Sequence, residues 1–285
     1  MKLKICLIVS LLSIVLCFGL TPLGAYGHHW KLLAASLVYF VVTLFFLYRT
    51  KSTWGRWAVA AIMALPPLAL FVPFHLKDFE QTLISLPSTI AHFVGIAFAL
   101  LTYKCKGKTR FVFPVLLLVL VPLAAFTGYP LWLNKLNFGT FTGSVSFPLP
   151  APIIGVLQNE QPLQKEDLQG KVVVLDFWHT RCGVCFQKFP HLQKLYDKYK
   201  RNPLIEVLAV NNPLQTDSTG QAFAMLKQRN YSFPVLVPTD KLLAEAFGVG
   251  VYPTTFVIDK AGTVVFKGNI EQAERVVNQL LANGT

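Results

Sequence analysis

Acidic residues are few, and almost all of them lie in the second half of the chain. Asp and Glu together number 14 among 285 residues, and only Asp78 and Glu80 fall within the first 135. Charged residues make up 14% of the chain and hydrophobic residues 53%. This composition excludes an ordinary water-soluble protein of this size, so the first half of the chain needs an apolar environment.

The basic residues do not indicate a nucleic-acid partner. Of the formal net charge of +12, +10 belongs to residues 1–135, where Lys and Arg occupy short gaps between apolar runs. A nucleic-acid-binding surface instead carries its basic residues together on one polar face. Membrane topology explains this distribution better than nucleic-acid binding does.

Five apolar runs are each about long enough to cross a hydrocarbon core of roughly 30 Å. They cover residues 5–20, 32–48, 57–74, 83–103 and 111–129. Two lysines precede the first run, but no pair of small residues marks a cleavage site after it. We therefore predict an all-α transmembrane region of five helices, or of four helices if the first is a cleaved signal.

Positive charge alternates between the gaps. Residues 2–4, 49–56 and 104–110 hold the basic clusters, whereas the other two gaps hold only Lys31 and Lys77. The positive-inside rule places the basic clusters in the cytoplasm, which leaves the C-terminal domain outside. We therefore expect a multi-pass protein of the bacterial cytoplasmic (inner) membrane, with its C-terminal domain on the periplasmic or extracytoplasmic side.

The sequence places one closely spaced cysteine pair, Cys182-Gly183-Val184-Cys185, at a strand-to-helix junction. Upstream, residues 171–175 form a β-branched apolar run that is typical of a strand buried on both faces. Downstream, apolar residues recur at helical spacing over 192–199, so a helix begins near the cysteines.

A helix start favours the thiolate form of Cys182, because unpaired N–H groups and a partial positive charge lie beside it. The spacing also lets Cys185 attack a mixed disulfide formed at Cys182 and release the partner. A structural disulfide, half of a zinc site and two buried cysteines are alternatives. A zinc site needs two more ligands at matching spacing, which His179 and His191 do not provide, so no metal is predicted.

Two residues outside the pair have a chemical rationale. An acid in an apolar strand, Asp176, should have a raised pKa and exchange protons near neutrality; the alternative is a solvent-exposed carboxylate at a strand end. Pro253, which follows Tyr252 in an otherwise regular strand, cannot donate to a ladder and belongs at an edge or a special turn.

This segment resembles the active site of the thioredoxin superfamily, and the C-terminal half is similar to its membrane-anchored TlpA/ResA branch. Asp176, six residues before Cys182, matches the family's buried acid, which the resemblance implies assists proton transfer at the resolving cysteine. Residues 251–259 resemble the cis-proline strand, which implies that Pro253 faces the disulfide. The resemblance implies no cofactor beyond a redox-active disulfide between Cys182 and Cys185.

Two positions depart from the family pattern. Arg181 stands where most relatives have tryptophan, and its charge should either lower the pKa of the thiol and favour acidic or extended partners or remain solvated. Val184 replaces a proline that bears on reducing power, which leaves the redox potential open. We predict Trp178, Arg181, Tyr252 and Thr254 as client-contacting residues, with packing as the alternative for Trp178.

The expected organisation has three parts. Residues 1–133 form the transmembrane helical region, and residues 134–152, rich in Gly, Pro, Ser and Thr, form a linker. Residues 153–285 form an α/β thioredoxin-like domain, whose β-α-β order indicates a parallel pair of strands.

We therefore expect a membrane-anchored thiol-disulfide oxidoreductase, a protein-disulfide reductase or isomerase, that acts on exported proteins outside the cytoplasm. Cys6, Cys17 and Cys105 form no second CxxC or facing pair, so the membrane half contains no electron relay. A reductase then needs an unidentified membrane electron-transfer partner. The alternative function is a redox-sensing or copper- or client-binding module coupled to the membrane helices.

Overall fold

The structure, a computed structural model, describes residues 3–158, 160–218, 220–240 and 242–282. The chain divides into two compact units, Met1–Leu133 and Asn134–Thr285. The last three residues of the predicted C-terminal domain lie outside the described residues.

The first unit is helical. Its helices are α1 (Leu3–Leu20), α2 (His28–Arg49), α3 (Thr53–Lys77), α4 (Phe79–Thr82), α5 (Leu86–Lys104), α6 (Val112–Leu123) and α7 (Tyr129–Phe138), of which the last continues into the second unit. Within the described residues, five helical stretches are long and apolar enough to cross a membrane: Lys4–Tyr26, His28–Arg49, Thr53–Lys77, Leu86–Lys104 and Gly107–Phe138. The predicted five apolar helices are therefore confirmed.

The fifth stretch is longer than the predicted run over 111–129. A π-helical turn, Ala124–Gly128, joins α6 to α7, so the helical path continues to Phe138. Pro122 lies just before this turn and cannot donate a backbone hydrogen bond, which favours a local change of helical pitch there.

Helices α2 and α5 approach each other closely because α5 has a glycine, Gly95, where it meets α2. A Cβ atom on Gly95 would stand 2.4 Å from the backbone oxygen of Ser36. Some buried polar side chains in this unit bond to one another, as an apolar surrounding favours. For example, the His75 Nε2 and Thr89 Oγ1 atoms form a hydrogen bond of 3.1 Å between α3 and α5.

The second unit is built on one mixed sheet of eight strands. The strands are β1 (Ser144–Pro148), β2 (Gly155–Leu157), β3 (Pro162–Leu163), β4 (Val172–Trp178), β5 (Ile205–Asn211), β6 (Val235–Pro238), β7 (Thr254–Ile258) and β8 (Thr263–Gly268). Their order is β1-β8-β7-β4-β5-β6-β2-β3. The helices are α8 (Gly183–Tyr199), α9 (Gln221–Gln228), α10 (Leu243–Ala246) and α11 (Ile270–Ala282).

Strand β4 is central and fully buried, because both faces of the sheet are covered. Val174 and Trp178 belong to the core that also contains residues of α8 and α11. Leu175 and Phe177 point to the opposite face, where the core includes residues of α10. An unbroken apolar run is what a strand covered on both faces requires. Asp176 lies two residues from Val174 and two residues from Trp178, so its side chain shares their face of the strand. It therefore faces the layer of α8 and α11.

The predicted linker over 134–152 is not free of regular structure. Residues 144–148 form edge strand β1, which pairs antiparallel with β8. Its burial alternates, and Val145 and Phe147 pack against the core. An edge strand bonds on one side only and tolerates Pro, so a composition rich in Gly, Pro, Ser and Thr concealed it.

Candidate active site

The cysteine pair lies where β4 gives way to α8. Helix α8 begins at Gly183, so Cys182 occupies the N-cap position. The two cysteines form a disulfide with a Cα–Cα distance of 5.3 Å. The Cys182 sulfur accepts a hydrogen bond of 3.1 Å from the backbone N–H of Cys185. A helix-start N–H that points at this sulfur stabilises its thiolate once the disulfide is open.

The two sulfurs differ in access. Cys182 retains 7% of its surface exposed, whereas Cys185 is fully enclosed at 0%. Gly183 and Val184, which separate the cysteines, are both exposed. A partner that reaches the pair from solvent therefore meets Cys182, and Cys185 is positioned to act from inside.

Asp176 is buried with 1% of its surface exposed, which excludes the alternative of an exposed strand-end carboxylate. Its Oδ1 atom accepts a hydrogen bond of 2.7 Å from the hydroxyl of Thr255, its neighbour in β7. Burial raises the pKa of Asp176 to about 7; the Thr255 hydrogen bond opposes this shift and the charge of Glu271 adds to it. A group with this pKa both accepts and releases protons near neutrality.

The segment before β7 is held beside the cysteine loop. The Tyr252–Pro253 peptide bond is cis and immediately precedes Thr254, the first residue of β7. The His179 and Tyr252 rings meet edge to face with centroids 4.9 Å apart. The Tyr252 hydroxyl accepts a hydrogen bond of 2.6 Å from Nδ2 of Asn212, which follows β5. Three loops therefore meet at this edge of the sheet.

The four residues predicted to contact a client divide into two pairs. Arg181 is exposed and Tyr252 half-buried. Trp178 is fully buried, and its ring packs edge to face on Phe189 with centroids 5.2 Å apart. Thr254 is also fully buried and donates its hydroxyl hydrogen bond to the backbone oxygen of Val251 over 2.7 Å.

The prediction that the side chains of Trp178 and Thr254 contact a client is therefore corrected, because both side chains lie in the core. The reason is that Trp178 ends a strand with both faces covered, so packing, its alternative reading, applies. Arg181 and Tyr252 are accessible and stay candidates.

Sequence reasoning missed residues that hold the site together. Thr255 was not singled out, because its position opposite Asp176 depends on the register between β7 and β4. Thr180 donates a hydrogen bond of 2.7 Å to Oδ1 of Asp217, which anchors the cysteine loop to the segment after β5. No local sequence pattern identifies partners this far apart in the chain.

Metal ligands do not assemble within the described ranges. Over residues 3–158, 160–218, 220–240 and 242–282, no three His, Cys, Asp or Glu side chains form a group suited to a metal ion. The expectation that the chain uses no cofactor beyond its disulfide stays a prediction.

Comparison with known proteins agrees with this site. Residues 147–267 match the model of the AhpC/TSA family. The thiol-disulfide oxidoreductase ResA of Bacillus anthracis is 32% identical over 159 residues, which are 55% of this chain and 87% of that protein. ResA of Bacillus subtilis (strain 168) is 30% identical over 161 residues, 56% of this chain and 84% of that protein.

The chain belongs to the ResA family of thiol-disulfide oxidoreductases. This confirms the resemblance to the thioredoxin superfamily and its TlpA/ResA branch in the C-terminal half. Among solved structures, a putative thiol:disulfide interchange protein DsbE from Chlorobium tepidum is 29% identical, with a TM-score of 0.41. That similarity covers 49% of this chain and 97% of the other.

As a ResA-family oxidoreductase, the protein exchanges electrons with the thiols or disulfides of client proteins. The predicted fold class, five long apolar helices followed by a thioredoxin-like α/β domain, is confirmed. The family model matches only residues of the second unit, so the part of the chain before residue 134 adds something that the family model does not include.

Proposed function

We propose that this ResA-family protein is anchored in the cytoplasmic membrane and reduces or isomerises disulfides of exported proteins outside the cytoplasm. The observation that carries the proposal is the difference in access between the two sulfurs at the start of α8. Cys182 is partly exposed and Cys185 is fully enclosed, which suits a nucleophile that meets clients and a resolving thiol that does not.

The proposed cycle starts from the reduced pair. The Cys182 thiolate attacks one sulfur of a client disulfide, so a mixed disulfide forms and the other client sulfur leaves as a thiolate that takes a proton from solvent. Cys185 then gives its proton to Asp176 and attacks the Cys182 sulfur. The second client sulfur leaves as a thiolate that takes a proton from solvent, so two electrons have passed to the client and the Cys182–Cys185 disulfide is closed.

Neighbouring residues have distinct proposed roles in this cycle. Asp176 accepts the proton of Cys185, because its pKa of about 7 leaves it partly ionised near neutrality. Pro253 and Tyr252 are proposed to face the disulfide, as the family resemblance implies, and the exposed Arg181 is proposed to contact the client. A positive charge beside Cys182 also favours its thiolate.

The membrane placement rests on the five apolar helical stretches and on the alternation of basic gaps. An exported location brings the site to oxidised clients, and it also requires a source of electrons. We propose that a membrane electron-transfer partner reopens the disulfide after each turnover.

The test uses the full-length chain in detergent, with insulin as client and dithiothreitol as electron source. Cys182→Ser should abolish insulin reduction, because the attacking sulfur is gone. Cys185→Ser should accumulate mixed disulfides with the client, seen as reductant-sensitive adducts on gels. Cys105→Ser is the matched control and should retain full activity, because Cys105 lies in the first unit outside any disulfide.

If Cys182→Ser reduces insulin as fast as wild type, the proposed enzyme mechanism is wrong, and the sensing or binding alternative gains support. If Cys185→Ser accumulates no adduct while Cys182→Ser is inactive, the assigned order of attack is wrong.

A further inference from the structure

A second carboxylate, Glu271, lies in the layer that Asp176 faces. Glu271 is in the first turn of α11, which packs on β4, β7, β8 and α8. Its two oxygens have different surroundings. Oε1 accepts a hydrogen bond from Lys188 and lies 3.9 Å from Nε2 of His191. Oε2 is buried and has no hydrogen-bond partner among the described residues.

Asp176 has the same asymmetry. Its Oδ1 atom is bonded to Thr255, whereas its Oδ2 atom is buried without a partner in the described part of the chain. Burying an oxygen without a hydrogen-bond partner costs free energy, so each such oxygen in a folded protein needs an explanation. The charge of Glu271 also contributes to the raised pKa of Asp176, so the two carboxyl groups influence each other's protonation.

Exposure increases stepwise from Asp176 outwards. Asp176 is 1% exposed as a residue, while the side chains of Glu271, Lys188 and His191 are 32%, 38% and 55% exposed. Lys188 and His191 lie on α8, the helix that carries Cys185. Glu271 is therefore intermediate in exposure between an enclosed acid and two groups that reach solvent.

The pKa of Glu271 keeps it ionised. Burial acts to raise this pKa, but the hydrogen bond from Lys188, the backbone at the helix start and the charges of Lys188 and His191 together hold it below its usual range. An ionised carboxylate is able to accept a proton from a protonated neighbour and lose it to water.

The other charged groups on the packed elements are either bonded to other partners or exposed. In the ranges of β4 and β7, Asp176 is the only titratable residue. Lys267 of β8 donates a hydrogen bond of 2.7 Å to the backbone oxygen of Gly248. On α8 and α11, the remaining contacts are Lys198 with Glu274 and Asn278, Asp197 with Lys200, and Tyr199 with Asn278, while Lys194 and Arg275 are exposed.

We propose that Glu271 is a positioning residue that passes protons between Asp176 and solvent during the resolving step. This inference rests on the proposed role of Asp176. The Cys185 thiol gives its proton to Asp176, and the Cys185 sulfur bonds to the Cys182 sulfur as the client sulfur leaves with its electron pair. The proton then moves from Asp176 to Glu271 and on to water beside Lys188 and His191, and the client thiolate takes a proton from solvent.

The test compares two glutamates on one helix. Glu271→Gln and the control Glu274→Gln each remove a carboxylate that is paired with a lysine of α8. The reduced full-length chain in detergent is mixed with a disulfide-bonded peptide, quenched with acid and alkylated. Mixed and closed disulfides are then counted separately by mass spectrometry across the neutral pH range.

Glu271→Gln should slow closure of the mixed disulfide by about 10-fold without slowing its formation. The pH midpoint of closure should also move downwards, because removing a like charge lowers the pKa of Asp176. Glu274→Gln should change neither quantity. Equal closure rates and equal midpoints for Glu271→Gln and wild type would overturn the inference.

A rescue experiment separates proton transfer from a purely structural role. Glu271→Ala leaves space for a small carboxylate, so formate should restore its rate of closure and should have no effect on Glu274→Ala. Thermal unfolding of both variants checks that they fold, and if Glu271→Ala does not, Glu271→Gln carries the test. Failure of formate to restore the rate in a folded variant counts against the inference.

These experiments distinguish a failure of the role of Glu271 from a failure of the proposed function. If Cys182→Ser is inactive but both glutamate variants behave as wild type, only the role of Glu271 is wrong. If reduced wild type mixed with the peptide yields neither a mixed disulfide nor a closed Cys182–Cys185 disulfide, the proposed function itself is wrong.

Discussion

Asp176 differs from a usual aspartate, which is exposed and ionised, because it is buried and has a raised pKa. It is a carboxyl group on a strand whose residues are all buried, and one of its oxygens has a hydrogen bond while the other has none in the described ranges. The fold tolerates this cost on the face of β4 that is covered by the helix that carries the cysteines. A strained or costly residue that persists beside a reactive group is typical of a functional site.

The Asp176 environment predicts a pH-dependent stability. In the folded state its pKa is about 7, above the value of about 3.9 for an exposed Asp. Stability contributed by the protonated form is therefore present below pH of about 4 and is lost as pH rises through about 7. Over that window, Asp176 costs wild type up to about 4 kcal/mol.

Asp176→Asn should remove this loss, because the amide does not ionise. The melting temperature of the oxidised full-length chain, followed by calorimetry in detergent from acid to neutral pH, should fall in wild type and stay flatter in the variant. Parallel curves for the two proteins would show that Asp176 does not titrate with a raised pKa.

At the scale of elements, two junctions depend on backbone geometry. The start of α8 presents its N–H groups to Cys182, and the seam between α2 and α5 depends on a glycine. At Gly95, any side chain would meet backbone atoms of α2, which cannot move aside as a flexible side chain does. Small residues at such seams let membrane helices approach and pack.

The α2–α5 seam supports a stability prediction with a matched control. Gly95→Ala should destabilise the first unit by about 2 kcal/mol, because its Cβ would lie 2.4 Å from the Ser36 carbonyl oxygen. Gly19→Ala should not destabilise it, since no atom beyond the adjoining residues and the backbone of its own helix lies within 4 Å of a Cβ at that position. Thermal unfolding in detergent gives the melting temperature of each variant. Equal melting temperatures for Gly95→Ala and wild type would contradict the claim that the α2–α5 contact requires a glycine.

In the whole molecule, a hydrophobic, basic first unit and a thioredoxin-like second unit belong to one chain. Nearly all of the net positive charge lies in the first 135 residues, between helices that are able to span a membrane. The alternation of that charge predicts that the cysteine pair and the loop that contains Cys105 lie on opposite sides of the membrane.

Single-cysteine chains test this sidedness. In intact cells, a membrane-impermeant maleimide should label a chain that retains only Cys182 and should leave a chain that retains only Cys105 unlabelled. Permeabilised cells should show both labels, which controls for access to Cys105. Labelling of Cys105 but not Cys182 in intact cells would reverse the proposed topology.

Features that depend on residues close together in the chain follow from the amino-acid sequence alone. Apolar runs of membrane length, the strand before the cysteines and the helix after them follow from local periodicity. The order of the cysteines relative to the helix start then indicates which sulfur attacks.

The surroundings of these groups depend on three-dimensional packing, which no local sequence pattern specifies. Thr255 meets Asp176 across 79 positions of sequence, and Glu271 meets Lys188 across 83, through strand register and helix packing. The same packing enclosed Trp178 and Thr254, which sequence reasoning had placed at the client surface. Hydrogen bonding and burial of this kind depend on which elements become neighbours, and chain-local periodicity carries no information about that.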